Sequence, residues 1–358
     1  MKFKDFPIEL AETKVAGLEK KFDLSSVAGR KMYFEAKAGK EIEDLKRYMD
    51  GNTFIAYWLG KKNSGKGTYS KMMIEIFGEK RIGHISVGDI IREAHSLISN
   101  NKERDKVLDY LKKNYRGYIS LDDAINNMLS RSTAQLIPTE FTMALIKRVI
   151  DKSGKKTLFI DGFPRDLDQI SYALYFRDLI NYREDKDIFI AIDIPETIID
   201  ERMRNRVVCP KCHTPRSLKL LATDKVGYDQ EKKEFYLICD DPKCGGERMV
   251  AKEGDNLGIE AIRDRLELDQ KLIEKVFSLH GVPKVLLRNA IPVAKADKLV
   301  DTYEITPEFY YELKNGKVIK KEKPWTTKDD EGIESISLIA PPVVLSLIKQ
   351  LHKILIES

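Results

Sequence analysis

The stretch FIAYWLGKKNSGKGTYSKMMIEIF spans residues 54–77. A strand-like apolar run over 54–59 meets a loop of Gly60, Lys61, Lys62, Asn63, Ser64, Gly65, Lys66 and Gly67, and a helical pattern follows. Glycines let a backbone curl until successive N–H groups point at one anion, and the next helix N-terminus adds partial positive charge. The spacing G-x-x-x-x-G-K is that of a phosphate-cradling loop. Lys66 would reach the β- and γ-phosphates as a compact charge. Gly67 stands where a hydroxyl residue often follows the lysine, and Thr68 offers its hydroxyl one place later. The loop implies a nucleoside triphosphate and leaves the acceptor unnamed.

Outward from this loop, β-rich runs over 54–59, 82–87, 157–161, 188–194 and 283–287 alternate with helical stretches. Strands separated by helices predict an α/β domain, its parallel sheet wrapped on both faces. Three stretches interrupt the alternation. Residues 100–138 are long, charged and helical in places, and residues 209–255 are loop-rich and hold all four cysteines. From Asp301 the chain changes character. YYELKNGKVIKKEKPW reads as a hairpin around Asn315-Gly316. PPVVLSLIKQLHKILIE reads as a terminal amphipathic helix whose Val343, Val344, Leu347, Leu351 and Leu355 are expected to pack on the chain's own core. Within residues 1–50, GKEIEDLKRYM places Ile42, Leu45 and Met49 on one helical face. The organisation expected is an N-terminal extension over 1–50 packing on a core over 51–300, and a C-terminal extension over 301–358.

The 358 residues are 33% charged and 42% hydrophobic, with a net charge of +5. Spread over this length the charge is mild, which reads as a solvated surface rather than a nucleic-acid footprint. No apolar run reaches the roughly eighteen residues of a membrane span. The opening MKFKDFPIELAETK lacks an apolar signal core, so a cytoplasmic protein is expected. Cysteines clustered in pairs point to a metal site in a reducing compartment.

Two further strand ends carry charge. In HISVGDIIREAH, Asp89 lies just past a strand and Arg92 one turn later. In FIDGFPRDLDQ, Asp161 ends a strand, Gly162 bends the chain, and Arg165 and Gln169 follow. A carboxylate at each strand end beside a phosphate loop suits water-mediated Mg²⁺. Guanidinium forks suit a second phosphate. Arg202 and Arg206 share a helical face at i, i+4, and Arg263 and Arg265 follow later. Each of these arginines alone reads as salt-bridged helix surface, because Asp200, Glu201, Asp264 and Glu267 lie nearby. Three strand ends aiming one chemistry at one edge outweigh that reading.

Together GKKNSGKGT, ISVGDIIR, LIPTEFTMALIKRVI, IDGFPRDLDQ, RMRNRVVCPKC, IRDRLELD and IPVAKA make the chain resemble the adenylate kinases, within the nucleoside monophosphate kinases. The likeness runs from about 54 to 296. It implies a P-loop NTPase three-layer fold with a central parallel sheet, a helical monophosphate-binding flap over about 86–138 and a zinc-ribbon-like lid over about 203–257. It implies that Gly60, Asn63, Ser64, Gly65, Lys66, Gly67, Thr68, Arg202, Arg206 and Val293 bind ATP. Val87, Arg92, Ile137, Gly162, Arg165, Gln169, Arg263 and Arg265 would bind AMP, Gln169 reading its base. The catalytic set would be Lys66, Arg206, Arg263, Arg265 and Arg165, with Asp161 and Asp89 holding the waters of Mg²⁺. The family usually functions as a monomer, and neither membrane nor nucleic acid is an expected partner.

The sequence departs from the family at several points. Lys62 and Asn63 stand in place of Pro-Gly, Val87 replaces a threonine near the acceptor base, and Ala134 replaces a glycine. Roughly twenty extra residues enlarge the flap between Arg92 and Leu136, and either Arg248 or Lys252 fills the basic position at the lid hinge. The lost threonine hydroxyl keeps GMP, CMP and UMP open as acceptors. The extended ends keep open a nucleotide-gated binding module without catalysis.

Cys209-x2-Cys212 and Cys239-x4-Cys244 offer four thiolates on two knuckles, the ligand set of structural Zn²⁺. His213 adjoins the first pair, but four cysteines already complete a tetrahedron. A closed four-thiolate site leaves no position for water, so a structural role is expected.

Overall fold

The computed structural model describes residues 9–99, 103–130, 137–165, 167, 169–170, 186–252 and 255–357. In chain order it runs α1 (Val27–Gly51), β1 (Phe54–Gly60), α2 (Lys66–Phe77), β2 (Ile82–Ser86), α3 (Val87–Ser99), α4 (Arg104–Asn114), α5 (Leu121–Leu129), α6 (Thr139–Ser153), β3 (Thr157–Asp161), β4 (Lys186–Asp193) and α7 (Glu196–Arg204). A small-sheet region follows: β5 (Arg206–Val208), β6 (Pro215–Ser217), β7 (Val226–Asp229), β8 (Glu234–Leu237) and β9 (Val250–Ala251). The chain then continues through α8 (Arg263–Phe277), β10 (Lys284–Arg288), β11 (Ala290–Pro292) and α9 (Val293–Leu299). It ends with β12 (Pro307–Lys314), β13 (Lys317–Pro324), β14 (Thr326–Lys328), β15 (Glu334–Ser337) and α10 (Ala340–Leu355). Among the described residues no helix is long and apolar enough to cross a membrane.

The central sheet is parallel, in the order β10-β4-β1-β3-β2. Strand β1 is buried on both faces, which is why it reads as one unbroken apolar run. Its side chains alternate between two cores, as a period of two requires. Phe54, Ala56 and Trp58 join α1, α2 and α10 on one face, while Ile55, Tyr57 and Leu59 join α3, α5, α6 and α8 on the other. Because β1 is flanked by β3 and β4, the chain leaves it in opposite directions across the sheet. A crevice therefore opens beyond its carboxyl end, where open α/β sheets bind ligands.

Both ends of the chain close over one face of this sheet. Val343, Val344, Leu347, Leu351 and Leu355 of α10 are buried against Tyr33, Phe34, Ile42, Leu45 and Met49 of α1. Fully burying each such side chain contributes about 1.5–3 kcal/mol before ordering costs. Beneath them, Lys37 donates from Nζ to Thr13 O (2.8 Å), Asp301 Oδ2 (2.6 Å) and Glu304 Oε1 (2.8 Å). Tyr33 and Thr13 also donate hydroxyl bonds to the Glu304 carboxylate.

The β12–β13 hairpin turns at Asn315 (φ 50°) and Gly316 (φ 72°), the left-handed pair a two-residue hairpin turn demands. At its roots Trp325 N donates to Thr306 O (3.1 Å), joining the two strands, while Thr306 N donates to Ser337 O (2.7 Å) and the Trp325 side chain is buried with Ile194, Ile198 and Ala290. Its body reaches the small-sheet region. Phe309 N donates to Lys219 O (2.7 Å), Tyr311 Oη to Leu218 O (2.6 Å) and Lys320 Nζ to Thr223 O (3.2 Å). The Tyr311 and Phe235 rings meet at 5.4 Å.

Candidate active site

The loop between β1 and α2 is shaped by residues that tolerate unusual backbone. Gly65 has φ 109°, and a Cβ there would come within 2.8 Å of the Tyr69 ring. Asn63 has φ 66°, a left-handed conformation that asparagine accepts more readily than other residues with a side chain. This explains how asparagine stands at a position where glycine is usual. Lys66, at the start of α2, donates to Gly60 O (2.7 Å) and Lys61 O (3.3 Å) and lies 3.9 Å from Asp161 Oδ1. Burial lowers its pKa, while Asp161 and Asp269 favour its charged form. The Ser64 hydroxyl and Asn63 Nδ2 are buried without a partner among the described residues, and both are donors at the loop. Thr68 is exposed on the first turn of α2.

The second cluster comes from β2–α3 and the loop after β3. Strands β2 and β3 pair in register, setting Ser86 beside Asp161. Asp89 N donates to Ser86 Oγ (3.4 Å), and its carboxylate pairs with Arg92. The Ser86 side chain, hydrogen-bonded to that carboxylate, and then Arg92 hold it below its ordinary range. A Cβ at Gly88 would lie 3.4 Å from Arg92 Nη1 and 3.6 Å from Arg165 Nη2, so both guanidiniums converge on one backbone site. Gly162, at φ 88°, leaves room for the same Arg165 fork. Burial and the like charge of Arg265 lower the pKa of Arg165, opposed by Asp161 and Asp269. Arg265 Nη2 pairs with Asp269 Oδ1 at 2.8 Å. Lys66, Arg165 and Arg265 thus gather around Asp161 and Asp269 at the sheet's carboxyl edge. Val87 is buried at the start of α3 and Ile137 is half-buried. The Gln169 carboxamide accepts from Arg165 N (2.8 Å) and donates to Thr139 Oγ1 (3.1 Å). Ala134 lies outside the described residues.

A third group descends from α7 and β5; the helix stops at Arg204 with Asn205 as its cap, so Arg206 opens a strand and does not share a helical face with Arg202. Arg206 is held bidentately by Asp255, with Nη2–Oδ1 at 2.6 Å, and its Nη1 donates to Asn63 Oδ1 at 2.9 Å. Arg202 Nη1 donates to Asn63 O at 3.3 Å. Arg263 turns elsewhere, to Glu196 (2.8 Å) and Glu260 (2.5 Å), and Glu196 also takes Lys61 Nζ at 3.2 Å. The two arginines of IRDRL therefore serve different neighbourhoods. Val293 is exposed at the start of α9. Arg248 is engaged by Asp229 (2.8 Å) and Glu234 (3.3 Å) over the Tyr236 ring, whereas Lys252 is exposed. Sequence reasoning missed the counter-ions Asp255, Asp269 and Glu196. Only Asp269 left a local signal, at i+4 from Arg265 on one helix face.

In the small-sheet region the sulfurs of Cys209, Cys212, Cys239 and Cys244 all lie within 4.8 Å of one another. Cys212 Sγ and Cys239 Sγ are 3.7 Å apart, unbonded. A tetrahedron with Zn–S of about 2.3 Å has edges of roughly 3.8 Å, so the thiols fit zinc. The wider second pair spends its extra residues on a short turn, Pro242–Cys244, capped by the Asp241 side chain and closed by Gly245 at φ 66°. His213, with φ 56°, follows the first knuckle in a left-handed conformation and is not part of the cluster. Only a few further apolar residues, among them Leu237 and Met249, support this region, so a metal would supply cohesion its core lacks.

No family model matches the chain. Among curated proteins it is similar to the adenylate kinase of Clostridium tetani (strain Massachusetts / E88), 30% identical over 230 residues, which is 64% of this chain and 87% of that protein. It is similar to that of Fervidobacterium nodosum, 30% identical over 233 residues, with 63% and 88% covered. The adenylate kinase of Thermotoga petrophila is 27% identical over 232 residues, with 64% and 87% covered.

Proposed function

This chain belongs to the adenylate kinase family, and is thereby a nucleoside monophosphate kinase; we propose that it reversibly transfers the γ-phosphoryl group of Mg-ATP to AMP, giving two ADP. The observation that carries this reading is the convergence of Lys66, Arg165 and Arg265 on the carboxyl end of β1, with Arg206 joined to the phosphate loop from the lid side.

No protein nucleophile is required. An oxygen of the acceptor phosphate attacks the γ-phosphorus in line and the bond to the β-bridging oxygen breaks. Positive groups stabilise the charge spread over the transferring phosphoryl. Lys66 and Arg206 hold that group from the loop and the lid. Arg92 and Arg165 grip the acceptor phosphate, and Arg265, kept in place by Asp269, completes the ring of charge. Asp161 and Asp89, one at a strand end and one a turn beyond, would hold the waters of the Mg²⁺ that ATP carries, whose chemistry is to neutralise phosphate charge. Arg202 packs on the adenine of ATP, and Gln169 faces the acceptor base once released from Thr139. Water is a competing acceptor, so the flap and lid serve to exclude it.

We assign the four cysteines to one structural Zn²⁺ that holds the lid together, and the protein to the cytoplasm as a monomer. Diphosphate formation from Mg-ATP with AMP, GMP, CMP or UMP tests the acceptor. Transfer to AMP alone supports the adenine reading, and preference for another base moves the substrate while keeping the mechanism.

A further inference from the structure

We propose that Asn63 is a positioning residue: its side-chain carbonyl draws the Arg206 guanidinium onto the phosphate loop. The inference rests on the kinase reading above and deepens it. The loop demands a left-handed backbone at this position, φ 66°, where glycine is the unstrained choice. Asparagine nonetheless occupies it, and its Oδ1 accepts from Arg206 Nη1 at 2.9 Å. The other edge of Arg206 is held by the buried Asp255. The guanidinium is therefore fixed on one side by a charge and on the other by a neutral amide. A second carboxylate would cancel the positive charge that a transferring phosphoryl needs, whereas an amide fixes direction and leaves that charge available. The Asn63 main-chain carbonyl receives Arg202 as well, so this single residue meets both arginines of the i, i+4 pair. Its Nδ2, buried without a partner among the described residues, remains a donor for a phosphate oxygen.

Asn63→Gly removes the carboxamide and relaxes the backbone, so it should melt at or above the wild-type temperature. Its kcat should fall about ten-fold or more, the range for one hydrogen bond to a charged group, with KM for the monophosphate unchanged. In an Arg206→Met background, which leaves Oδ1 without that donor, the same substitution should cost clearly less, because the bond no longer exists to be lost. A merely structural role would lower melting temperature and add its cost in both backgrounds. Full kcat in Asn63→Gly, or an equal loss with and without Arg206, overturns the proposal while wild type remains an active kinase. Wild-type protein inactive on every acceptor overturns the kinase reading and this inference with it.

A different observation carries a second inference: the β12–β13 hairpin is a brace on the lid. The roots are tied to the core by the Thr306 N–Ser337 O bond and by the buried Trp325 side chain, while Phe309, Tyr311 and Lys320 bond to residues 218–223 of the lid. A lid that swings must bend the hairpin or shed these bonds. Because Thr306 and Trp325 are hydrogen-bonded neighbours, residues 307–324 can be replaced by an Asn-Gly turn, and Tyr311→Ala offers a milder cut. In both variants amide exchange in β5–β9 should quicken several-fold, with β1, β3 and β4 unchanged. Unchanged lid exchange in either variant overturns the brace, whatever the activity.

Discussion

Replacing Lys37 by Met tests how the two chain ends are locked to the core. The Lys37 ammonium is fully buried, and its three protons are directed at Thr13 O, Asp301 and Glu304. Methionine keeps most of the aliphatic stem and removes the charge, leaving the equally buried Glu304 carboxylate with only neutral donors: Tyr33, Thr13 and the Asp301 N–H. Breaking a buried pair from one side costs about 3–5 kcal/mol, since the remaining charge is uncompensated. Those three donors favour the lower end, about 3 kcal/mol. At about 2–4 °C per kcal/mol for a chain of this order of size, the melting temperature should fall by roughly 6–12 °C. Thermal melts of Lys37→Met, Glu304→Gln and the double variant decide it, and the double should lose clearly less than the sum. A loss under about 1 kcal/mol, or strictly additive losses, would mean that Lys37 and Glu304 do not form an energetically coupled buried pair.

Lys66→Met should lower kcat at least about a hundred-fold, as removal of one preorganised transition-state donor does, while circular dichroism and melting temperature hold; retained transfer would remove Lys66 from the chemistry. Stripping zinc with a chelator should lower the melting temperature and quicken proteolysis within residues 209–255, with one zinc per chain released; unchanged stability and activity would end the zinc assignment. Burial pushes the pKa of His84 below its ordinary value, against the pull of Asp161 and Asp89. A depressed folded-state pKa means stability is intact above the unfolded value near 6.5 and is lost as pH falls through the folded one. His84→Gln should therefore flatten the fall in melting temperature as pH drops below about 6.5, and an unaltered pH profile would contradict this.

The parallel sheet was legible because each strand is an apolar run bounded by turn residues or charge. The edges shifted where local signals compete. Val87 opens α3 rather than closing β2, because the chain turns at Ser86, whose hydroxyl takes the Asp89 N–H. Strand β4 begins earlier, at Lys186, because pairing with Phe54 and Ile55 of β1 recruits two charged residues no hydrophobic pattern marks. Helix α1 begins at Val27, capped by Ser26, well before the periodic stretch that signals it. No local pattern marks Lys37 as buried, because its two carboxylate partners, Asp301 and Glu304, lie 264 and 267 residues away. The same distance problem hid Asp255, 49 residues from the arginine it orients. Strand order and the contact between the hairpin and residues 218–223 are likewise tertiary facts. The phosphate-loop spacing and the cysteine pairs were readable because their chemistry fixes spacing within a few residues.

The activity assigned to this site is phosphoryl transfer onto a nucleoside monophosphate. Purified protein with Mg-ATP should convert AMP to ADP rapidly, with GMP, CMP and UMP far slower. Folded, zinc-loaded protein that forms no diphosphate from any of the four would contradict the account.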